Sequence, residues 1–237
     1  MERRELLGTL AAAGAVMMTT RTTMAEEKQT VAAGLSEHAV APLPFDPRKL
    51  HGLSEKMLVS HHDNNYAGAV KNLNKVEEQL AALPADAPAF LVAGLREREL
   101  TFANSKVLHE LYFGNLGGNG KASSGIQGAI ATRFGSFAAF EQQLHATAMG
   151  LAGGSGWATL NFSLHLGQLR ITGASGHPQA LAAGVPLLVL DMYEHAFALD
   201  YGAAAAKYLE AFFLNVNWET VEHRLEKAQK AFTALRG

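Results

Sequence analysis

The chain has 237 residues, of which 48% are hydrophobic and 18% charged, with a formal net charge of -2 and no cysteine. That length buries a substantial core, and a near-neutral balance without a basic cluster excludes a nucleic-acid partner. The missing thiols exclude disulfides, thiolate ligands and a cysteine nucleophile, so any metal has to be held by histidine and carboxylate.

At the N-terminus, Arg3 and Arg4 precede a short run of small and apolar residues, 8–18. The run is too short to span a bilayer, and the pattern is that of a twin-arginine export signal. We therefore expect a signal segment over residues 1–25, cleaved after Ala25, and an exported protein, periplasmic or extracellular. The alternative is the same segment retained as an uncleaved anchor. No other stretch is apolar enough to cross a membrane, so no membrane association is expected once the signal is gone.

Residues 26–48, with Pro42, Pro44 and Pro47 close together, read as an extended lead-in. From Ser54, the residues Leu58, His62, Tyr66, Leu73, Val76, Leu80 and Leu83 recur at three- and four-residue steps up to Pro84, which predicts one long amphipathic helix. A second helix is predicted over 88–113, with an interruption near Gly94, and the glycine-rich turn 114–120 ends it. The two should pair as an antiparallel hairpin, giving an α-hairpin domain over 49–116.

Residues 117–237 form the predicted C-terminal domain. Helices are expected over 124–134 and 136–150, strands over 157–164, 168–172 and 185–190, and helices over 203–214 and 218–235. The fold class is α+β: an N-terminal helical hairpin followed by a small three-stranded antiparallel sheet packed with helices.

Within this frame, three of the ten histidines and one aspartate stand out by position. His61 lies in the first long helix and His109 in the second. Asp191 ends the apolar run of the third strand, and His195 follows four residues later. A carboxylate at a strand end and an imidazole one helical turn on can hold two positions of a single ion. Taken alone, the pair reads equally well as a helix N-cap carboxylate near an unrelated imidazole.

Longer stretches carry a resemblance. The run Asp191-Met192-Tyr193-Glu194-His195-Ala196-Phe197 is similar to the signature of the iron/manganese superoxide dismutases, with Tyr193 where tryptophan is usual. Phe134-Gly135-Ser136-Phe137, Gly154-Ser155-Gly156-Trp157 and Asn215-Val216-Asn217-Trp218-Glu219 resemble further stretches of that family in the same order. So do Asn72-Leu73-Asn74 and His109 with Tyr112, and the likeness covers residues 50–235.

The resemblance implies one iron or manganese ion per chain, ligated by His61, His109, Asp191 and His195 with solvent as the fifth ligand. Three imidazoles and one carboxylate suit either metal and leave a position open for a small anion. The implied activity is disproportionation of superoxide to oxygen and hydrogen peroxide. It also implies a homodimer in which Glu194 reaches the His195 of a second copy, and a pocket walled by Trp157, Tyr112 and Phe113.

The departures from the family pattern form a set. Asn65 and Ala69 stand where the family usually has a histidine and a tyrosine at the substrate entrance, and Ala198 stands where a second interface tyrosine is common. Ser105 replaces the amide that one branch sets against the solvent ligand. His177, in the loop before the third strand, is the candidate to take over that role. The missing relay leaves a second reading: a dismutase-fold metal protein with another redox, storage or sensing role.

Overall fold

The computed structural model describes residues 37–236. The predicted signal segment and the beginning of the predicted lead-in fall outside the described residues.

The first helical stretch begins at Ser54, whose Oγ accepts from the Met57 N–H (3.1 Å) and caps α1 (Glu55–Ser60). It does not continue as one regular helix. A π-helical turn occupies His61–Tyr66, closed where Ala67 N–H bonds back to the His62 carbonyl, and α2 (Ala67–Ala81) follows. The apolar positions on either side keep three- and four-residue steps, so the extra residue in the turn leaves no mark in the periodicity. Such turns concentrate at functional sites, and this one starts on a predicted ligand.

The second long helix, α3 (Ala89–Gly114), runs unbroken through Gly94, where a side chain would meet nothing within 4 Å. α4 (Ser124–Phe134) and α5 (Phe137–Met149) are capped by Ser123 and Ser136, each accepting from the N–H three residues on. Next come β1 (Trp157–Ser163), β2 (Gln168–Ala174) and β3 (Gly184–Asp191). The short α6 (Ala198–Tyr201), which the sequence pattern misses, precedes α7 (Ala205–Leu214) and α8 (Trp218–Ala234). The fold class is α+β, as expected. Among the described residues, no helix is long and apolar enough to cross a membrane.

The sheet is antiparallel with order β2-β1-β3, and every residue of the central β1 is buried. The β1–β3 register breaks between Leu160 and Asn161, beside Pro186, which has no N–H to give to the ladder. Beyond that bulge Trp157 pairs with Asp191, so the first residue of the central strand lies against the last residue of β3.

The compact units do not divide at residue 116 as the sequence suggests. Of the described residues, 39–72 and 100–236 form one unit, and 37–38 with 73–99 form the other. The reason is visible in the larger unit's core. Leu58, Tyr66, Val70, Tyr112 and Phe113 from the long helices belong to one buried cluster with Trp157, Leu188, Phe212 and Trp218. In the smaller unit Leu73, Val76 and Leu95 are buried, and the His38 N–H donates to Asn74 Oδ1 (2.9 Å).

The glycine-rich turn is fastened from within. Asn115, 0% exposed, accepts from Val189 N–H through Oδ1 (2.8 Å) and donates through Nδ2 to the Tyr112 carbonyl (2.9 Å). Gly118 approaches so closely that a Cβ there would lie 2.3 Å from the Val216 oxygen, and its N–H donates to Asn215 O (3.0 Å). Replacing Asn115 by Ala strands the buried Val189 N–H, while the Tyr112 carbonyl keeps the Asn115 backbone N–H (3.2 Å). We predict that Asn115→Ala lowers stability by about 1–3 kcal/mol in denaturant unfolding, whereas Asn119→Ala in the exposed part of the same turn changes it by less than about 0.5 kcal/mol.

Candidate metal centre

His61 comes from the π-helical turn, His109 from the last third of α3, and Asp191 from the end of β3. The chain then takes one extended step at Tyr193 and folds into a 3-10 turn, Glu194–Ala196, which carries His195. The four-residue spacing of Asp191 and His195 is therefore not a turn of α-helix. It is closed by the Asp191 side chain, whose Oδ1 accepts from Tyr193 N–H (2.8 Å).

That bond leaves Asp191 Oδ2 free, and three imidazole nitrogens face it: His61 Nε2 at 3.2 Å, His195 Nε2 at 3.3 Å and His109 Nε2 at 3.7 Å. One ligand atom from each of the four residues lies within 4.8 Å of all the others. All four atoms are buried and none has a hydrogen-bond partner. Buried polar atoms are almost always paired, and four orphans aimed at one point match the donor set of a His₃Asp ion site. The residues fit the group that the sequence implies.

Protonation fits as well. Burial lowers the pKa of His61, and it brings His109 down to about 3, so both rings are neutral near pH 7, as ligation requires. His109 Nδ1–H donates to the Ser105 carbonyl (2.7 Å), which fixes the tautomer with the Nε2 lone pair facing inward. Burial acts against the Asp191 carboxylate, yet contact with His195 and His61 holds its carboxyl well below the usual range. The Asp191 carbonyl is anchored separately by Tyr208 OH (2.9 Å), with Tyr112 OH 3.2 Å from that hydroxyl.

The aromatic residues sit behind the ligands and do not line the cavity in front of them. Trp157 meets His109 edge-on with ring centres 5.1 Å apart, and Tyr112 and Phe113 lie 5.2 and 5.0 Å from His61. The cavity, about 250 Å³, is bounded on the ligand side by His109, His195, Ser105 and His177. On the other side stand Asn64, Asn65, Gly68, Ala69 and Asn72, with Phe102. Asn65 and Ala69 thus reach the cavity, as their shared helix face with His61 suggests. Tyr66 does not: its hydroxyl accepts from Ala41 N–H (2.9 Å) and donates to Glu110 (2.8 Å).

His177 is held on three sides. Trp157 Nε1–H donates to its Nδ1 (3.0 Å), which places the ring proton on Nε2, and Asn104 Nδ2 donates to its carbonyl (2.9 Å). Tyr193 stacks between His177 (4.7 Å, 8°) and His195 (5.3 Å, 20°). Nothing in residue type or spacing marks Asn104 as part of the site, and Tyr193 is notable in the sequence only as a replacement for tryptophan. The loop that carries His177 has no periodicity to announce either contact.

Glu194 and Ala198 are exposed. The His195 side chain is 26% exposed.

A sequence model described as "Iron/manganese superoxide dismutases, C-terminal domain" matches residues 122–224. The chain is 44% identical over 192 residues to superoxide dismutase [Fe] of Cupriavidus metallidurans, covering 81% of this chain and 98% of that one. It belongs to the iron/manganese superoxide dismutase family. Superoxide dismutase [Fe] of Aquifex pyrophilus is 36% identical over 80% of this chain and 92% of its own length. Superoxide dismutase [Mn] 1 of Halobacterium salinarum is 31% identical over 84% of this chain and 100% of its own. The stretch matched by the family model contains Asp191 and His195, whereas His61 and His109 precede it.

The buried imidazoles set a pH dependence for the metal-free protein. His61 and His109 stay neutral in the folded state below the ordinary value of 6.5, whereas their unfolded counterparts take up protons there. The unfolded state binds more protons, so stability is present above pH 6.5 and is lost as pH falls through the window from 6.5 toward about 3. Each group contributes on the order of 1 kcal/mol per pH unit. Denaturant midpoints of the apo protein from pH 7.5 to 4.5 should fall, and His109→Gln should flatten the slope by about one proton.

Proposed function

We propose that this chain is a superoxide dismutase that disproportionates two superoxide anions to oxygen and hydrogen peroxide at one iron or manganese ion per chain. His61 Nε2, His109 Nε2, Asp191 Oδ2 and His195 Nε2 would hold the ion. The observation that carries this reading is the set of four buried, unpartnered donor atoms lying within 4.8 Å of one another. Two relatives named as iron superoxide dismutases and one named as a manganese superoxide dismutase favour an ion from that pair.

When bound, such an ion supplies a one-electron redox couple that takes an electron from one superoxide and returns it to a second. The chain's own residues do the rest. The three imidazoles are neutral and the single carboxylate offsets only part of a di- or trivalent charge, so the site attracts an anion. The aromatic rings of Trp157, Tyr112 and Phe113 exclude water from the ligand side. His177, with its proton on Nε2 and its ring at the cavity, is the group that holds a solvent molecule against the site and passes a proton. Asn65 and Ala69 carry no titratable proton, so the family's usual entrance relay is replaced by His177 alone.

The active form is a homodimer. Glu194 is exposed, its carboxylate without a hydrogen bond or ion pair among the described residues, and the outward edge of the partly exposed His195 is the complementary partner in an isologous contact. The twin arginines support export of the folded, metal-loaded protein to the periplasm or the cell exterior.

Metal analysis followed by pulse radiolysis tests the reading. The metal-loaded protein should accelerate superoxide decay well beyond the same concentration of free ion, and Asp191→Ala should retain no metal and decay superoxide at the apo rate. Rates no better than free iron or manganese, with the metal in place, would favour the storage or sensing role instead. His177→Ala should cost about 10–100-fold in rate with metal content unchanged, and His177→Gln should recover part of that loss.

A further inference from the structure

The cavity in front of the four donors is larger than a diatomic anion requires. Its volume of about 250 Å³ is many times the roughly 10–15 Å³ that a single water needs by the same measure. The side facing the ligands is built from the smallest side chains available, Gly68 and Ala69, flanked by the amides of Asn64, Asn65 and Asn72. Gly68 has nothing within 4 Å of the position a Cβ would take, so the space beside it is open.

The chemistry of the lining points one way. It contains amides, a hydroxyl at Ser105 and the ring of His177, but neither a carboxylate nor a lysine or arginine. Asn64 Nδ2 is engaged with the Ser60 carbonyl (2.8 Å). Asn65 and Asn72 also line the cavity, and their amide N–H groups can donate to a carboxylate oxygen. No acidic side chain lines the cavity itself, and an ion held by the four donors would offset the Asp191 charge behind them and attract an anion.

We propose that the cavity admits a small monocarboxylate, with one oxygen facing the open side of His61, His109, Asp191 and His195 and the other reached by the Asn65 and Asn72 amides. The inference rests on the metal-centre reading above. It makes small organic acids reversible occupants of the superoxide path, competing with the substrate.

The test uses the full-length, iron-loaded ferric protein, with acetate and azide as probes and the visible absorption and EPR spectra as readouts. Acetate should perturb both spectra saturably in the native protein. In Ala69→Tyr and, independently, in Gly68→Leu, the half-saturating acetate concentration should rise more than about tenfold, while the azide response persists because a rod-shaped triatomic ion needs less width. Two variants at neighbouring positions guard against one failing to fold, and the native titration stands without either. An azide response with no acetate response in the native protein, or equal acetate responses in native and both filled variants, overturns the inference and leaves the metal centre intact. Failure to bind iron, or to respond to azide, would instead strike the reading beneath it.

Discussion

The structure is organised around an electrostatic demand: a fully buried carboxylate oxygen and three buried imidazole nitrogens meet with no proton, partner or backbone group to satisfy them. An unsatisfied buried polar atom costs about 1–3 kcal/mol and a charged one more. A cation completing the cluster would relieve that cost at all four atoms together. Every other feature of the site either brings those atoms together or keeps their lone pairs turned inward.

Convergence is achieved by elements distant in sequence. The β1–β3 bulge and the Trp157–Asp191 pairing set the strand exit, and the π-helical turn presents His61. The buried bonds of Asn115 tie the end of α3 to β3, which couples the element carrying His109 to the one carrying Asp191. Positioning is then refined by groups that touch no ion: the Ser105 carbonyl on His109, Tyr193 N–H on Asp191, and Tyr208 on the Asp191 carbonyl. These contacts explain why a site made from four side chains needs most of the larger unit to hold it.

Much of this is readable from residues. The second half is legible because its caps and apolar runs agree: Ser123, Ser136 and Asn217 each cap the helix whose start the pattern predicts, and the strands end where glycine or polar residues interrupt them. The four ligands are legible only through residue type, chain position and family likeness together, since the Asp191–His195 spacing alone is ambiguous. The π-helical turn stays hidden because one added residue preserves local apolar spacing. The unit boundary is hidden because both long helices read as uniform, although their ligand-bearing ends share a core with the sheet and the remainder belongs to the smaller unit. Contacts such as Asn104 on the His177 loop join segments 73 residues apart and have no local signature.

The unusual entrance follows from the same division of labour. Asn65 and Ala69 line the cavity without belonging to the donor set, so the residues that shape access are distinct from those that would hold the ion. The four donors call for one ion that joins these side chains. A crystal of the metal-loaded protein, with anomalous difference maps collected on both sides of the iron and manganese edges, tests it most directly. The account predicts a single peak per chain at bonding distance from His61 Nε2, His109 Nε2, Asp191 Oδ2 and His195 Nε2. A loaded protein whose peak lies elsewhere, with those four atoms parted, would contradict it.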